Sequence, residues 1–237
     1  MLFYLIRHGD PDYKTDSLTP LGKRQAEAVA RRFAVHGLDR IYSSPMGRAR
    51  ETAQPTAELL RLPVGIEDWS SEAHAWDELT ELDENGKKHW IYERMTRPET
   101  CEDEKSILTM ENWMDMPSVA GTTAKQGYDR IQAASDEFFA RHGYVREGMK
   151  YRIEQPSDER IALFAHAGFG LAFLAVLLQI PPQFLWSTFD MTHCGISIFQ
   201  FANNGDGWTQ PRCLVYSDTS FLYEARLPMK YNNHLKI

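Results

Sequence analysis

Leu2-Phe3-Tyr4-Leu5-Ile6-Arg7-His8-Gly9-Asp10 decides how the rest of the chain is read. Five apolar residues bounded by a charged residue and a glycine spell a short strand buried on both faces, as in a parallel sheet. Open α/β sheets bind ligands in the crevice outside the carboxyl ends of their strands. This strand delivers an arginine and a histidine to that end. Phe164-Ala165-His166-Ala167-Gly168 repeats the opening pattern far along the chain.

The segments on either side build outward from that strand. Thr19 with Pro20 predicts a helix start, Thr19 as cap and Pro20 in the first turn. Ala26, Val29, Ala30 and Phe33 form its apolar side and Gly37 stops it. Ile41-Tyr42-Ser43 is a second strand, and Ser44-Pro45 repeats the cap-plus-proline start. Met46, Ala49, Ala53, Ala57 and Leu60 then share one stripe. Pro55 removes a backbone hydrogen bond there and predicts a kink. Pro63–Ile66 is a third strand. Strand, helix, strand, helix, strand implies right-handed crossovers and a mainly parallel sheet.

Later segments continue the pattern. Tyr128–Arg141 reads as a helix, Tyr144–Ile153 as a hairpin turning at Glu147-Gly148, and Ile161–Ala165 as a core strand. Phe169–Leu178 is an apolar core helix. Ile196–Phe201 and Cys213–Tyr216 are strands around an Asn203-Asn204-Gly205-Asp206-Gly207 turn, and Pro228–Ile237 reads as a tail. The expectation is a single α/β domain over residues 1–237: a three-layer α/β/α sandwich with a helical insertion at about 68–127. From Glu67 to Lys125 there are fifteen acidic residues against six basic, leaving about +2 for the remainder of a chain whose net charge is −7. Trp69, Trp76, Trp90 and Trp113 also lie there, and that aromatic content argues for an ordered cap rather than an acidic tail.

Composition narrows the function. With 43% hydrophobic residues the chain can build a core, and a charge of −7 offers no basic face to nucleic acid. Cys101, Cys194 and Cys213 are odd in number and lack Cys-x-x-Cys spacing, which reads as reduced thiols. The apolar N-terminal run is too short for a signal peptide. Ile161–Ile180 approaches the length of a membrane span, but His166, Gly168 and Gly170 divide it. A cytoplasmic protein without membrane attachment is expected.

The chemistry follows from the residue types. Phosphoryl transfer needs positive charge around the equatorial oxygens and an in-line nucleophile. A neutral imidazole has one unprotonated nitrogen near pH 7, and planar guanidinium forks match phosphate oxygens. No metal-ligand spacing such as His-Glu-x-x-His occurs, so neither metal nor cofactor is expected.

Four pieces in order carry a resemblance: Arg7-His8-Gly9, Leu18-Thr19-Pro20-Leu21-Gly22, Tyr42-Ser43-Ser44-Pro45 with Gly47-Arg48-Ala49-Arg50-Glu51-Thr52-Ala53, and Phe164–Gly168. Together they resemble the histidine phosphatase superfamily, the phosphoglycerate-mutase-like branch. The resemblance implies that His8 becomes phosphorylated, that Arg7 and Arg48 clamp the phosphate, and that His166 is the second histidine. Arg50 competes with Arg48 for the clamp. Where the family has glycine, this chain has Ala167. A glutamate shortly after the third strand acts as proton donor in the family; Glu72 fits without a gap, with Asp68, Asp77 and Glu78 as alternatives. Tyr13 and Lys14 are candidates for substrate contact. The loop Pro11–Ser17 lacks the asparagine and the Phe-x-Gly-Trp stretch of the mutases, which favours a phosphatase acting on a small phosphorylated metabolite. A mutase-type phosphotransferase and a non-catalytic phospho-ligand binder are the alternatives. His193 is assigned no chemistry, with a core or pocket-edge place expected.

Overall fold

A computed structural model describes residues 1–96 and 108–231. Its central sheet has six strands: β1 (Leu2–Arg7), β2 (Arg40–Ser43), β3 (Val64–Ile66), β4 (Arg160–Ala165), β5 (Ile196–Gln200) and β6 (Arg212–Asp218). Their spatial order is β6-β5-β1-β4-β2-β3. β1, β4, β2 and β3 run parallel, while β5 and β6 extend one edge antiparallel. The helices among the described residues are α1 (Pro20–Ala34), α2 (Gly47–Leu60), α3 (Glu72–Glu78), α4 (Ala124–Arg141), α5 (Ala167–Leu178), α6 (Pro182–Thr188) and α7 (Ser220–Glu224).

Side chains alternate across a strand, and here each face meets its own helices. Phe3, Leu5, Ile161 and Leu163 pack with α4 and α5 on one side. Tyr4, Ile6, Ala162 and Phe164 pack with α1, α2 and α7 on the other. Burial on both faces is why β1 and β4 are uninterrupted apolar runs, and the result is the expected three-layer sandwich. The apolar stretch from Ile161 divides at His166 into β4 and α5, and α5 is buried from Ala167 to Leu177. Among the described residues no helix is long and apolar enough to cross a membrane.

Some details depart from expectation, each for a local reason. α2 begins at Gly47 rather than Pro45 and has no cap from Met46. Ser44 Oγ accepts from Met46 N–H at 3.3 Å and lies 2.8 Å from His166 Nε2, and Gly47 N–H is capped by the Asp16 carboxylate at 2.7 Å. Pro55 lies inside α2, which nevertheless runs on to Leu60. The hairpin Tyr144–Glu147 with Lys150–Ile153 turns through Gly148, whose φ of +64° suits glycine. Trp208–Thr209, between β5 and β6, pairs with that hairpin instead of joining the main sheet.

The acidic segment is mixed rather than purely helical. Besides α3 it holds a ribbon pairing Thr80–Leu82 with Lys88–Trp90, and 3-10 turns at Asp68–Ser70 and Trp113–Asp115. Its residues 97–107, Cys101 included, lie outside the described residues, as do residues 232–237 of the expected tail. The described start of that tail contacts the crevice: Lys230 accepts from His193 N–H at 2.9 Å and donates to Asp10 at 3.1 Å.

Phe173 of α5 is fully buried against Phe3, Phe139, Trp69 and Phe169, with ring centroids 5.3 to 6.4 Å apart across this cluster. Phe173→Ala is expected to cost about 3–5 kcal/mol, read by urea unfolding. A loss under about 1 kcal/mol would place the core elsewhere.

Candidate active site

β1 and β4 are neighbours in register, Arg7 beside Ala165, so His8 and His166 leave the sheet together from the same end. Their rings are 5.2 Å apart. His8 is 2% exposed, and its Nδ1 sits 2.8 Å from Gly9 O. A carbonyl only accepts, so Nδ1 carries the hydrogen and Nε2 keeps its lone pair. Burial pushes the His8 pKa well below its ordinary value, and His166, Arg7 and Arg48 push the same way. His166 is fully buried with Nε2 2.8 Å from Ser44 Oγ. Its Nδ1 has no hydrogen-bond partner among the described residues. Burial, then Arg48 and Arg7, lower its pKa as well.

The two arginines flank these rings. Arg7 is 1% exposed; its guanidinium donates to Met191 O and, at 2.8 Å, to His193 Nε2. Arg48, on the first turn of α2, donates to Asp16 Oδ1 at 2.5 Å and lies 5.4 Å from the Tyr13 ring. Arg48 is buried and lines the cavity, whereas Arg50 is exposed.

The loop joining these groups is held by both flanking helices. Gly9 N–H donates to Thr52 Oγ1 of α2 at 3.0 Å, and Asp10 N–H to Gln25 Oε1 of α1 at 2.9 Å. Thr19 caps α1 by accepting from Gly22 N–H and donates to the Asp10 carboxylate at 2.7 Å. Gly22 is required by closeness: a Cβ there would stand 2.2 Å from Asp10 O.

Arg7, His8, Arg48 and Glu72 line one cavity of about 450 Å³, with Tyr13 and the indoles of Trp76 and Trp90 around it. Glu72 opens α3, and its carboxyl accepts from Gly168 N–H at 3.1 Å and Phe169 N–H at 2.9 Å, at the start of α5. Burial raises its pKa against the pull of those two amides and of Arg48 and Arg7. The competing carboxylates turn elsewhere. Asp68 contacts His74, Asp77 contacts Lys88, and Glu78 pairs with Arg130 at 2.7 Å. Lys14 is exposed and does not line the cavity.

Sequence reasoning missed Asp16 and gave His193 a core or pocket-edge place without the partner that the fold brings to it. His193 is 3% exposed, stacked on His8 at 5.6 Å, and receives Arg7. Asp16 caps α2 and grips Arg48 from a loop about thirty residues earlier. The signal for Asp16 was its place in the polar loop after β1; for His193 no local pattern exists. Among the described residues no group of three or more His, Cys, Asp or Glu side chains is placed to hold a metal.

Residues 3–212 match the family model of the histidine phosphatase superfamily, branch 1. The chain is 27% identical over 203 residues to "Putative phosphoserine phosphatase 2" of Hydrogenobacter thermophilus, covering 82% of this chain and 86% of that one. A shorter match, 39% over 70 residues, is to "Probable phosphoglycerate mutase GpmB" of Proteus mirabilis and spans 26% of this chain and 33% of the relative. In fold the chain is similar to the mycobacterial glucosyl-3-phosphoglycerate phosphatase, with a TM-score of 0.61 at 20% identity, over 92% of this chain and 99% of the other. The family match takes in the opening Arg-His-Gly turn and the strand end that faces it, and the chain belongs to the histidine phosphatase superfamily.

Proposed function

We propose that this phosphatase hydrolyses small-molecule phosphate monoesters through a phosphohistidine on His8. One observation carries the reading: Gly9 O holds the hydrogen of His8 on Nδ1, so the Nε2 lone pair faces a site flanked by two buried guanidinium groups. Nε2 attacks phosphorus as the ester P–O bond breaks. Arg7 and Arg48 bind the equatorial oxygens, whose charge is spread in the transition state. His166 Nδ1 donates to a phosphate oxygen. Glu72, whose pKa burial raises, gives a proton to the departing alkoxide and then, as carboxylate, takes one from the attacking water. Water breaks the P–N bond and releases phosphate.

The two arginines supply the charge that a metal would otherwise provide, which supports a metal-independent reaction. His193 and Asp16 act through the arginines they hold. We read the segment from about 68 to 127 as a cap that contributes Glu72, Trp76 and Trp90. The free thiols Cys194 and Cys213 support a reducing compartment such as the cytoplasm. The match to a named mutase spans too little of the chain to favour transfer over hydrolysis.

Base-quenched turnover of a ³²P-labelled monoester, run in chelator, should trap label on His8. Acid should release it as it does a phosphoramidate, and the His8→Ala protein should take up none. Acid-stable label, or labelling that needs an added divalent ion, contradicts the scheme.

Glu72→Gln tests the proton donor. General acid catalysis is typically worth about 10²–10⁴-fold, so alkyl monoesters should slow by that order. p-Nitrophenyl phosphate, whose leaving group needs little protonation, should slow far less. Equal losses on both substrates would make Glu72 a structural residue.

A further inference from the structure

On the phosphatase reading just given, we propose that the leaving group is aromatic: an alcohol whose flat apolar body runs from the ester oxygen along Trp76 and Trp90. The groups at the phosphate end of the first cavity are Arg7, His8, Arg48 and Glu72. Its remaining described wall is Tyr13, Met46, Ala73, Trp76, Trp90 and Ala167, whose polar side-chain groups are one phenol and two indole N–H donors and whose surface is otherwise apolar. At about 450 Å³ the cavity already has the size of a whole-ligand site.

A second cavity of about 630 Å³ shares Trp76, Trp90 and Ala167 with the first; Tyr92, Trp186 and Phe189 give it further aromatic wall, and Lys87, Lys88, His89, Glu93 and Asp190 make the rest of its rim polar. Trp76 meets Trp90 edge to face at 4.9 Å, and Trp90 stacks on Tyr92 at 5.4 Å. The indole of Trp90 is seated close to the chemistry. A Cβ on Gly168, the residue whose N–H binds Glu72, would come within 2.5 Å of it. A group leaving beside Glu72 therefore meets indole next.

Charge points the same way. Phosphoserine and phosphoglycerate leaving groups carry a carboxylate close to the ester oxygen, and burying it without a cation is costly. The cations among the described residues lining the first cavity are Arg7 and Arg48, both at the phosphate end. Lys87 and Lys88 line only the second cavity, and Lys88 contacts Asp77 at 3.0 Å. An aromatic body instead gains area and ring contacts along the wall.

The test compares esters with similar leaving-group acidity. 3-Phenylpropyl phosphate should exceed propyl phosphate in kcat/KM by about ten- to a hundredfold, the range that burial of one phenyl group gives. Phosphoserine and 3-phosphoglycerate should fall below 3-phenylpropyl phosphate. Trp76→Ala should collapse the phenylpropyl-to-propyl ratio towards one. As a measurement independent of that variant's folding, 4-phenylbutylphosphonate should inhibit the unaltered enzyme at least about tenfold more tightly than butylphosphonate. A ratio near one in the unaltered enzyme, or a preference for the carboxylate-bearing esters, overturns the aromatic site while leaving hydrolysis through His8 intact. Absence of turnover and of a phosphoenzyme with every ester overturns both.

Discussion

A neutral imidazole held between two buried guanidinium groups is the constraint on which the rest of the structure depends. Arg7 and Arg48 are nearly inaccessible to water, and burying a charge is costly unless it is well hydrogen-bonded. The fold meets that cost with Met191 O and His193 around Arg7, and with the Asp16 carboxylate on Arg48. The same cations oppose protonation of His8 and His166, and burial opposes it further. Strong positive charge and an imidazole that resists protonation therefore share one cavity, as the proposed attack on a phosphate requires.

That arrangement explains the scaffold around it. Two adjacent parallel strands are needed to release both histidines at one end, which requires a crossover and helices on both faces. The loop after β1 must be rigid enough to aim Gly9 O at His8 Nδ1. Thr52, Gln25 and Thr19 hold it from two helices, and Gly22 leaves room for its backbone. The phosphate end is built largely by sheet termini, whereas Glu72, Trp76 and Trp90 come from the acidic segment between β3 and α4. On the proposed mechanism the proton donor Glu72 therefore comes from the same segment as the Trp76 and Trp90 wall, while His8 and the two arginines come from the end of β1 and the start of α2.

Much of this was legible in the sequence because it is local. Continuous apolar runs marked β1 and β4, since both faces of those strands are covered. Thr19-Pro20 marked the start of α1, whereas only the family resemblance favoured Arg48 over its competitor Arg50. What escaped depends on distant pairing. Ser44 reads as a helix cap until His166, over a hundred residues away, claims its hydroxyl. Asp16 caps a helix it does not adjoin, and His193 meets Arg7 from 186 positions further along the chain. No periodicity records such contacts. The acidic segment reads as ordered from its indoles, but the ribbon pairing Thr80–Leu82 with Lys88–Trp90 beside its helical turns has no such signal.

The most direct test of this account is the protonation state of His8 itself. Long-range ¹H–¹⁵N correlation spectra of the imidazoles, with His8 assigned by the loss of its signals in His8→Gln, report tautomer and pKa together. The account predicts a neutral ring with hydrogen on Nδ1 and a lone pair on Nε2, titrating only well below the ordinary value of 6.5. A hydrogen on Nε2, or titration at or above that value, would contradict it.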